Sequence, residues 1–205
     1  STILHYRAGP DPLKDGDVCL VDAGGEYDFY TADVTRTFPV SGEFTKPQRV
    51  LYELCLDVQK QAIEAVKPGT TLDAIHDLAV RKLTEGFISL GLLQGTADER
   101  IADKAFRKYY MHRTSHWLGM DVHDVGDYYV DGKPRPLAPG MVLTIEPGIY
   151  VAEDDETAPA ELRGIGIRIE DDVLVTATGC EVITAEAPKA IDEIEALMRD
   201  ARGRD

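Results

Sequence analysis

Three regimes of apolar spacing succeed one another along the chain. Asp17-Val18-Cys19-Leu20-Val21 is a short apolar run that suits a strand buried on both faces, ending at Asp22-Ala23-Gly24-Gly25, where paired glycines permit a sharp reversal. Beyond the bend, Tyr27, Phe29, Thr31, Asp33, Thr35 and Thr37 fall on one face of a period-two segment that closes at Pro39. The pattern predicts a hairpin. From Pro47, a first-turn proline after Thr45, apolar residues then recur at three and four: Val50, Leu51, Leu54, Cys55, Val58, Ala62 and Val66, stopped by Lys67-Pro68-Gly69. A second helix starts at Thr71 with the stripe Leu72, Ile75, Leu78, Ala79, Leu83 and Phe87 before Gly91. His76 falls on its polar side. Ala97 to Lys108 is charged and predicts a short solvated helix.

The last third returns to strands. Met141–Ile145 and Ile165–Ile169 are β-rich runs that each end in a glutamate, Val173–Thr176 is a further strand, and a helix from Ile191 closes the chain. Asp131-Gly132 predicts a tight turn, and the acidic stretch Glu153 to Pro159 a mobile surface loop. Strands, helices, then strands give an α+β class, and 205 residues suit one domain.

Composition narrows the function. Lys plus Arg number 22 against 37 Asp plus Glu, a formal charge of -15, which disfavours binding to nucleic acid or to an anionic membrane. No apolar run approaches the roughly 18–20 residues needed to cross a bilayer, and the N-terminal residues do not read as a signal peptide. Cys19, Cys55 and Cys180 are an odd number without C-x-x-C spacing, each in an apolar stretch; they read as buried free thiols in a reducing, cytoplasmic compartment.

Four carboxylates stand where packing alone gives them no reason. Asp22, Glu146 and Glu170 each follow an apolar strand, and Asp33 lies mid-strand on the face of Tyr27 and Phe29. A buried unpaired carboxylate costs several kcal/mol, so such groups are paired, protonated or bound to a cation. The cations nearby in sequence, Arg36, Arg163 and Arg168, are too few for four, whereas two divalent ions bring four charges. Three of the five histidines, His112, His116 and His123, share one short segment and add nitrogen donors and proton carriers. Trp117, beside one of them, reads as core.

Asp22-Ala23-Gly24-Gly25-Glu26-Tyr27 with Asp33-Val34-Thr35-Arg36-Thr37, then Ser115-His116-Trp117-Leu118-Gly119, Leu143-Thr144-Ile145-Glu146-Pro147-Gly148, and Arg163-Gly164-Ile165-Gly166-Ile167-Arg168-Ile169-Glu170 occur in this order, the two aspartates eleven residues apart. Together they resemble the successive motifs of the Xaa-Pro aminopeptidases (aminopeptidase P), pita-bread metallopeptidases, over nearly the whole chain. The resemblance implies a creatinase/aminopeptidase-like catalytic domain over residues 1–205. It implies two divalent metal ions, manganese by preference, with Asp22 on one ion, Asp33 and Glu170 bridging, and His116 and Glu146 completing the second site. An oxygen-rich shell with one imidazole agrees with manganese. It also implies a hydrolase in which water shared by the ions is deprotonated and attacks the Xaa-Pro bond. Glu146 then acts as proton shuttle, His112 and His123 as catalytic histidines, and His5, His112, His123, Tyr150 and Arg168 face the substrate. The substrate implied is a peptide with proline second, whose scissile tertiary amide has no N–H.

Two relatives of the same fold are alternatives: prolidase, which cleaves dipeptides, and metal-free peptide-binding relatives, which lack ligand residues. The chain opens four residues before His5, whereas the resembled family has a helix and strands of the catalytic domain, and a separate domain, ahead of that point. An N-terminal fragment of the same protein is therefore an expected partner, and a homo-oligomer is expected from the family's habit. Arg113, between His112 and the expected ligand His116, is a bulky cation in the expected pocket, where a small residue would be expected.

Overall fold

The computed structural model describes residues 1–4 and 12–202, and strands, helices and strands succeed one another as the sequence predicts. β1 (Val18–Ala23) runs antiparallel to a later strand, but the period-two segment between is broken. β2 (Glu26–Tyr27) and β3 (Tyr30–Thr31) make a small hairpin of their own, turned by Asp28 and Phe29 at φ 50° and 72°. Only β4 (Val34–Pro39) keeps the alternation, pairing with β1 so that Asp22 faces Thr35. Thr35 and Thr37 are fully buried, whereas Tyr27, Phe29 and Tyr30 are exposed, so the predicted shared face ends before Asp33. Gly24 answers a different need from the one expected: a Cβ there would overlap the Ala32 carbonyl. β1 also departs from burial on both faces. Its ladder partner among the described residues is β4 alone, and Val21 and Asp22 lie in solvent.

The helices start where their caps are. The Thr45 N–H donates to Gln48 Oε1 at 2.9 Å in a capping box that opens α1 (Lys46–Glu64), and Pro47 occupies a first-turn position that needs no donor. Thr71 Oγ1 accepts the Ala74 N–H at the start of α2 (Leu72–Ser89). α3 (Ala97–Ala102) and a helical turn at Ala105–Lys108 occupy the charged stretch. Leu51, Cys55 and Val58 of α1 and Ala79, Leu83 and Phe87 of α2 share a core with Ile149, Ile167 and Ile169. Each large aliphatic or aromatic side chain buried there contributes about 1.5–3 kcal/mol.

β5 (Tyr129–Val130) and β6 (Lys133–Pro134) flank the predicted turn, where Asp131 and Gly132 both take positive φ. β7 (Val142–Ile145) leads into β8 (Gly148–Tyr150), which pairs with β9 (Gly166–Arg168). β10 (Asp171–Val175) lies between β7 and β11 (Cys180–Val182), and α4 (Ile191–Arg202) closes the fold. A second core joins Val66, Leu72, Ile75, Trp117, Leu143 and Val173, so Trp117 packs as expected.

Two expectations need correction here. The Glu153–Pro159 stretch is pinned: Asp155 is buried and accepts from Lys108 Nζ at 2.7 Å and the Tyr109 hydroxyl at 2.9 Å. Of the three free thiols only Cys55 is buried; Cys19 and Cys180 are partly exposed, because β1 and β11 lie at sheet edges.

Candidate metal centre

The ends and junctions of five strands converge on one cleft of about 810 Å³. Asp22 sits near the end of β1 and Asp33 just ahead of β4. The His116 segment is zipped to β7: the Thr144 N–H donates to the His116 carbonyl at 3.0 Å, and the His116 N–H to Thr144 Oγ1 at 3.2 Å. The Glu146 N–H donates to the Thr114 carbonyl at 2.8 Å, which places Glu146 beside the same segment. Glu170 occupies the junction of β9 and β10, where its N–H donates to the Thr35 carbonyl at 3.1 Å and Thr35 Oγ1 donates to its carboxylate at 2.6 Å.

Asp33, His116 and Glu170 each offer a ligand atom, and these atoms lie within 4.8 Å of one another. His116 Nε2 is 3.4 Å from Asp33 Oδ2 and 3.7 Å from Glu146 Oε1. His116 Nδ1 is 3.0 Å from the Trp117 carbonyl, which can only accept, so Nδ1 carries a hydrogen and Nε2 is the ring atom left to face the carboxylates. Acceptors gathered this closely are stable only when a proton or a cation lies between them. Burial, then the neighbouring Glu170, pushes Glu146 well above the carboxylate range; burial, then Asp33, does the same to Glu170. Burial works against an ionised Asp33, but His116, Asp22 and His123 together outweigh it and hold Asp33 low. This set of hard oxygens and one imidazole fits divalent cations.

Asp22 is placed differently from the other three acids. It lies beside Asp33 and accepts from Arg168 Nη2 at 2.6 Å, and its side chain is 44% exposed. Of the other cations near in sequence, Arg36 pairs with Asp171 and touches Glu170 only at its backbone carbonyl, and Arg163 donates to the carbonyls of Glu156 and Ala158, so neither reaches the carboxylates of the four acids.

Arg168 Nη1 also donates to the Tyr150 hydroxyl at 2.9 Å, and that oxygen is 2.8 Å from His112 Nε2. His112 Nδ1 is 2.8 Å from the Arg113 carbonyl, so Nδ1 donates and Nε2 of the neutral ring accepts from Tyr150. The result is one directed chain, Arg168 to Tyr150 to His112. A Cβ at Gly148 would collide with the Tyr150 ring. His123 is exposed, with its ring 4.3 Å from that of His116, and it lines the cleft together with His112 and Arg168. His5 lies outside the described residues.

Several participants escaped the sequence. Asp172 is buried and accepts the Asp33 N–H at 3.1 Å; burial pushes it up to about 6. His76 does not face solvent: its Nδ1 is 2.9 Å from Thr114 Oγ1, which the Tyr110 hydroxyl also meets at 2.6 Å, behind His112 and Glu146. Asp172 stood in plain view after Glu170, whereas nothing in the spacing links His76 to residues some forty positions on.

The model of metallopeptidase family M24 matches residues 1–177. The chain is 50% identical over 196 residues to the Xaa-Pro aminopeptidase of Haemophilus influenzae, covering 96% of this chain and 45% of that protein. The structure of Pseudomonas aeruginosa aminopeptidase PepP superposes with a TM-score of 0.96 at 52% identity, over 98% of this chain and 46% of that one. Zinc-substituted Escherichia coli aminopeptidase P in complex with product gives a TM-score of 0.93 at 50% identity, over 98% and 45%. The chain thus spans somewhat under half the length of the relatives it matches, and its fold is the pita-bread α+β fold of their catalytic domain.

Proposed function

Because this chain belongs to metallopeptidase family M24, we propose that it is the catalytic part of an Xaa-Pro aminopeptidase, releasing the first amino acid from peptides with proline in second position. The observation that carries this reading is the inward-facing Nε2 of His116, set against Asp33, Glu146 and Glu170 on the floor of an open cleft. Asp33, His116, Glu146 and Glu170, joined by Asp22, would hold two divalent ions, manganese among the candidates the donor set favours. Such ions, when bound, polarise the scissile carbonyl and make water acidic near neutral pH.

The chain's own groups supply the rest. Glu146, 3.7 Å from His116 on the cleft floor, takes a proton from the attacking water and delivers it to the proline nitrogen, which must be protonated to leave. One proton leaves the water and one reaches the amine, so the hydrolysis balances. His123, beside His116, faces the carbonyl side of the substrate and steadies the charge that develops there, while His112, with both nitrogens engaged by Tyr150 and the Arg113 carbonyl, borders the substrate as a fixed wall. A scissile bond without N–H asks for no acceptor at the nitrogen, only a groove for the ring.

The test is Mn²⁺-dependent release of the first residue from an Xaa-Pro-Yaa peptide, with an Xaa-Pro dipeptide alongside. Cleavage of the tripeptide supports the reading; cleavage of the dipeptide alone would replace it with a prolidase, and no cleavage after metal loading would sink it.

A further inference from the structure

The aminopeptidase reading leaves one cation of the cleft lining without a task. Arg113 lines it, and its side chain is 55% exposed, against 12% for His116 and 17% for Glu146. The ligand set therefore marks the floor and Arg113 the mouth. Asp73, at the start of α2, accepts from Arg113 Nη2 and, at 2.8 Å, from the Tyr129 hydroxyl. Among the described residues only Asp73 accepts from this guanidinium. Its other donors are left for a ligand, and the fold has already met the cost of ordering the side chain.

We propose that Arg113 makes the mouth selective for peptides carrying a carboxylate on the residue that follows the proline. The inference rests on the aminopeptidase reading. If the bond after the first residue is cut at the floor, the rest of the peptide must leave past the mouth. The charges on the way out are few. Arg168 is buried and engaged with Asp22 and Tyr150, so Arg113 is the exposed cation among the described lining residues, while Asp127 is an acid in the same lining. Asp73 is held below its ordinary value: burial opposes this, and Arg113 and Tyr129 together prevail. A planar guanidinium can bridge two carboxylates, one on each edge, which a lysine ammonium does less well. The site would read carboxylate chemistry, supplied either by an acidic side chain at the third position or by the C-terminus of a tripeptide.

The experiment measures kcat/KM of the Mn²⁺-loaded protein on three peptides identical except at their ends: Xaa-Pro-Glu-amide, Xaa-Pro-Gln-amide and Xaa-Pro-Gln with a free C-terminus. The expected result is a preference of about three- to fivefold for either carboxylate-bearing peptide over the neutral amide at low salt, shrinking as salt is added. In R113Q the ratio falls to about one whatever the absolute rate, and in R113K part of it returns. The Glu-amide and free-acid arms tell which carboxylate is read. Ratios of one for both arms in the wild type, or an unchanged ratio in R113Q, would overturn the inference. If no peptide is cleaved, the aminopeptidase reading fails by itself. Calorimetric binding of the same peptides, judged by the same ratios, then decides Arg113 separately.

Discussion

His116 Nε2 lies 3.4 Å from Asp33 Oδ2, with the opposite ring nitrogen held by the Trp117 carbonyl. The main chain thereby fixes which face of the imidazole looks into the cleft, and it does so through residues adjacent to the ring rather than through the carboxylates it meets. Charge between these groups is then a matter of what binds there.

Metal should stabilise the folded chain through this pair. With Mn²⁺ at a hundred times its Kd, the gain is about 2.7 kcal/mol, or a Tm rise of roughly 5–10 °C for a chain of this size. Calorimetry on H116A and D33A should show little of that rise, together with loss of bound manganese by elemental analysis. An equal rise in wild type and both variants would place the metal elsewhere.

Replacing Glu146 by Gln keeps the shape of the side chain and removes its basicity. We expect kcat on an Xaa-Pro-Yaa peptide to drop by about 10²–10⁴ at saturating Mn²⁺, with a much smaller change in KM. A kcat within a factor of three of wild type would move the proton-carrying role to another group.

Tyr150→Phe interrupts the chain from Arg168 to His112 by one oxygen. Arg168 Nη1 then loses a buried acceptor, which costs about 1–3 kcal/mol. The His112 ring is also freed, and we expect kcat/KM to fall about tenfold. Chemical denaturation beside steady-state kinetics separates the two effects.

His76 makes stability depend on pH. Burial, then the charge of Arg113, pushes its folded value down to about 4, whereas the unfolded chain protonates it near 6.5. Between those values the unfolded state binds the additional proton, so the stability is complete above pH 6.5 and is lost as pH falls toward 4. The window sets a ceiling of about 3 kcal/mol, and partial exposure lowers it. Urea titrations of wild type and H76Q across this range should diverge progressively as the pH drops; parallel curves would show that His76 is not held neutral.

Asp171 carries a stabilising rather than a catalytic task. It is fully buried and meets Arg36, Lys189, Gln59 and Thr184. Asp171→Ala strands two cations and should cost about 3–5 kcal/mol. Bound manganese per folded molecule should stay unchanged, since Asp171 faces away from His116 toward α1 and the segment before α4.

The helices were legible because their information is local. Thr45 and Thr71 cap, Pro47 sits where a donor is dispensable, and the stripes at three and four give the buried face without reference to any other part of the chain. The Asp131-Gly132 turn was legible for the same reason. The segment from Tyr27 to Thr31 was not. Alternation there is also consistent with a two-residue hairpin, and the tie was decided by the Thr31 N–H, which donates to the Gly119 carbonyl at 2.9 Å, a partner 88 positions away.

The site divides along the same line. Residue type and position marked Asp22, Asp33, Glu146 and Glu170 as acids in need of a partner, since a buried unpaired carboxylate is costly wherever it points, while the family resemblance picked His116 out of three clustered histidines. Folding decided the rest. Backbone hydrogen bonds from Thr144 and Glu146 orient the His116 segment, Arg36 is drawn off to Asp171, and Asp22 is given to Arg168. Such partners meet across long stretches of sequence, and the Coulomb and desolvation energies that choose among them depend on distances of a few Å that only packing fixes.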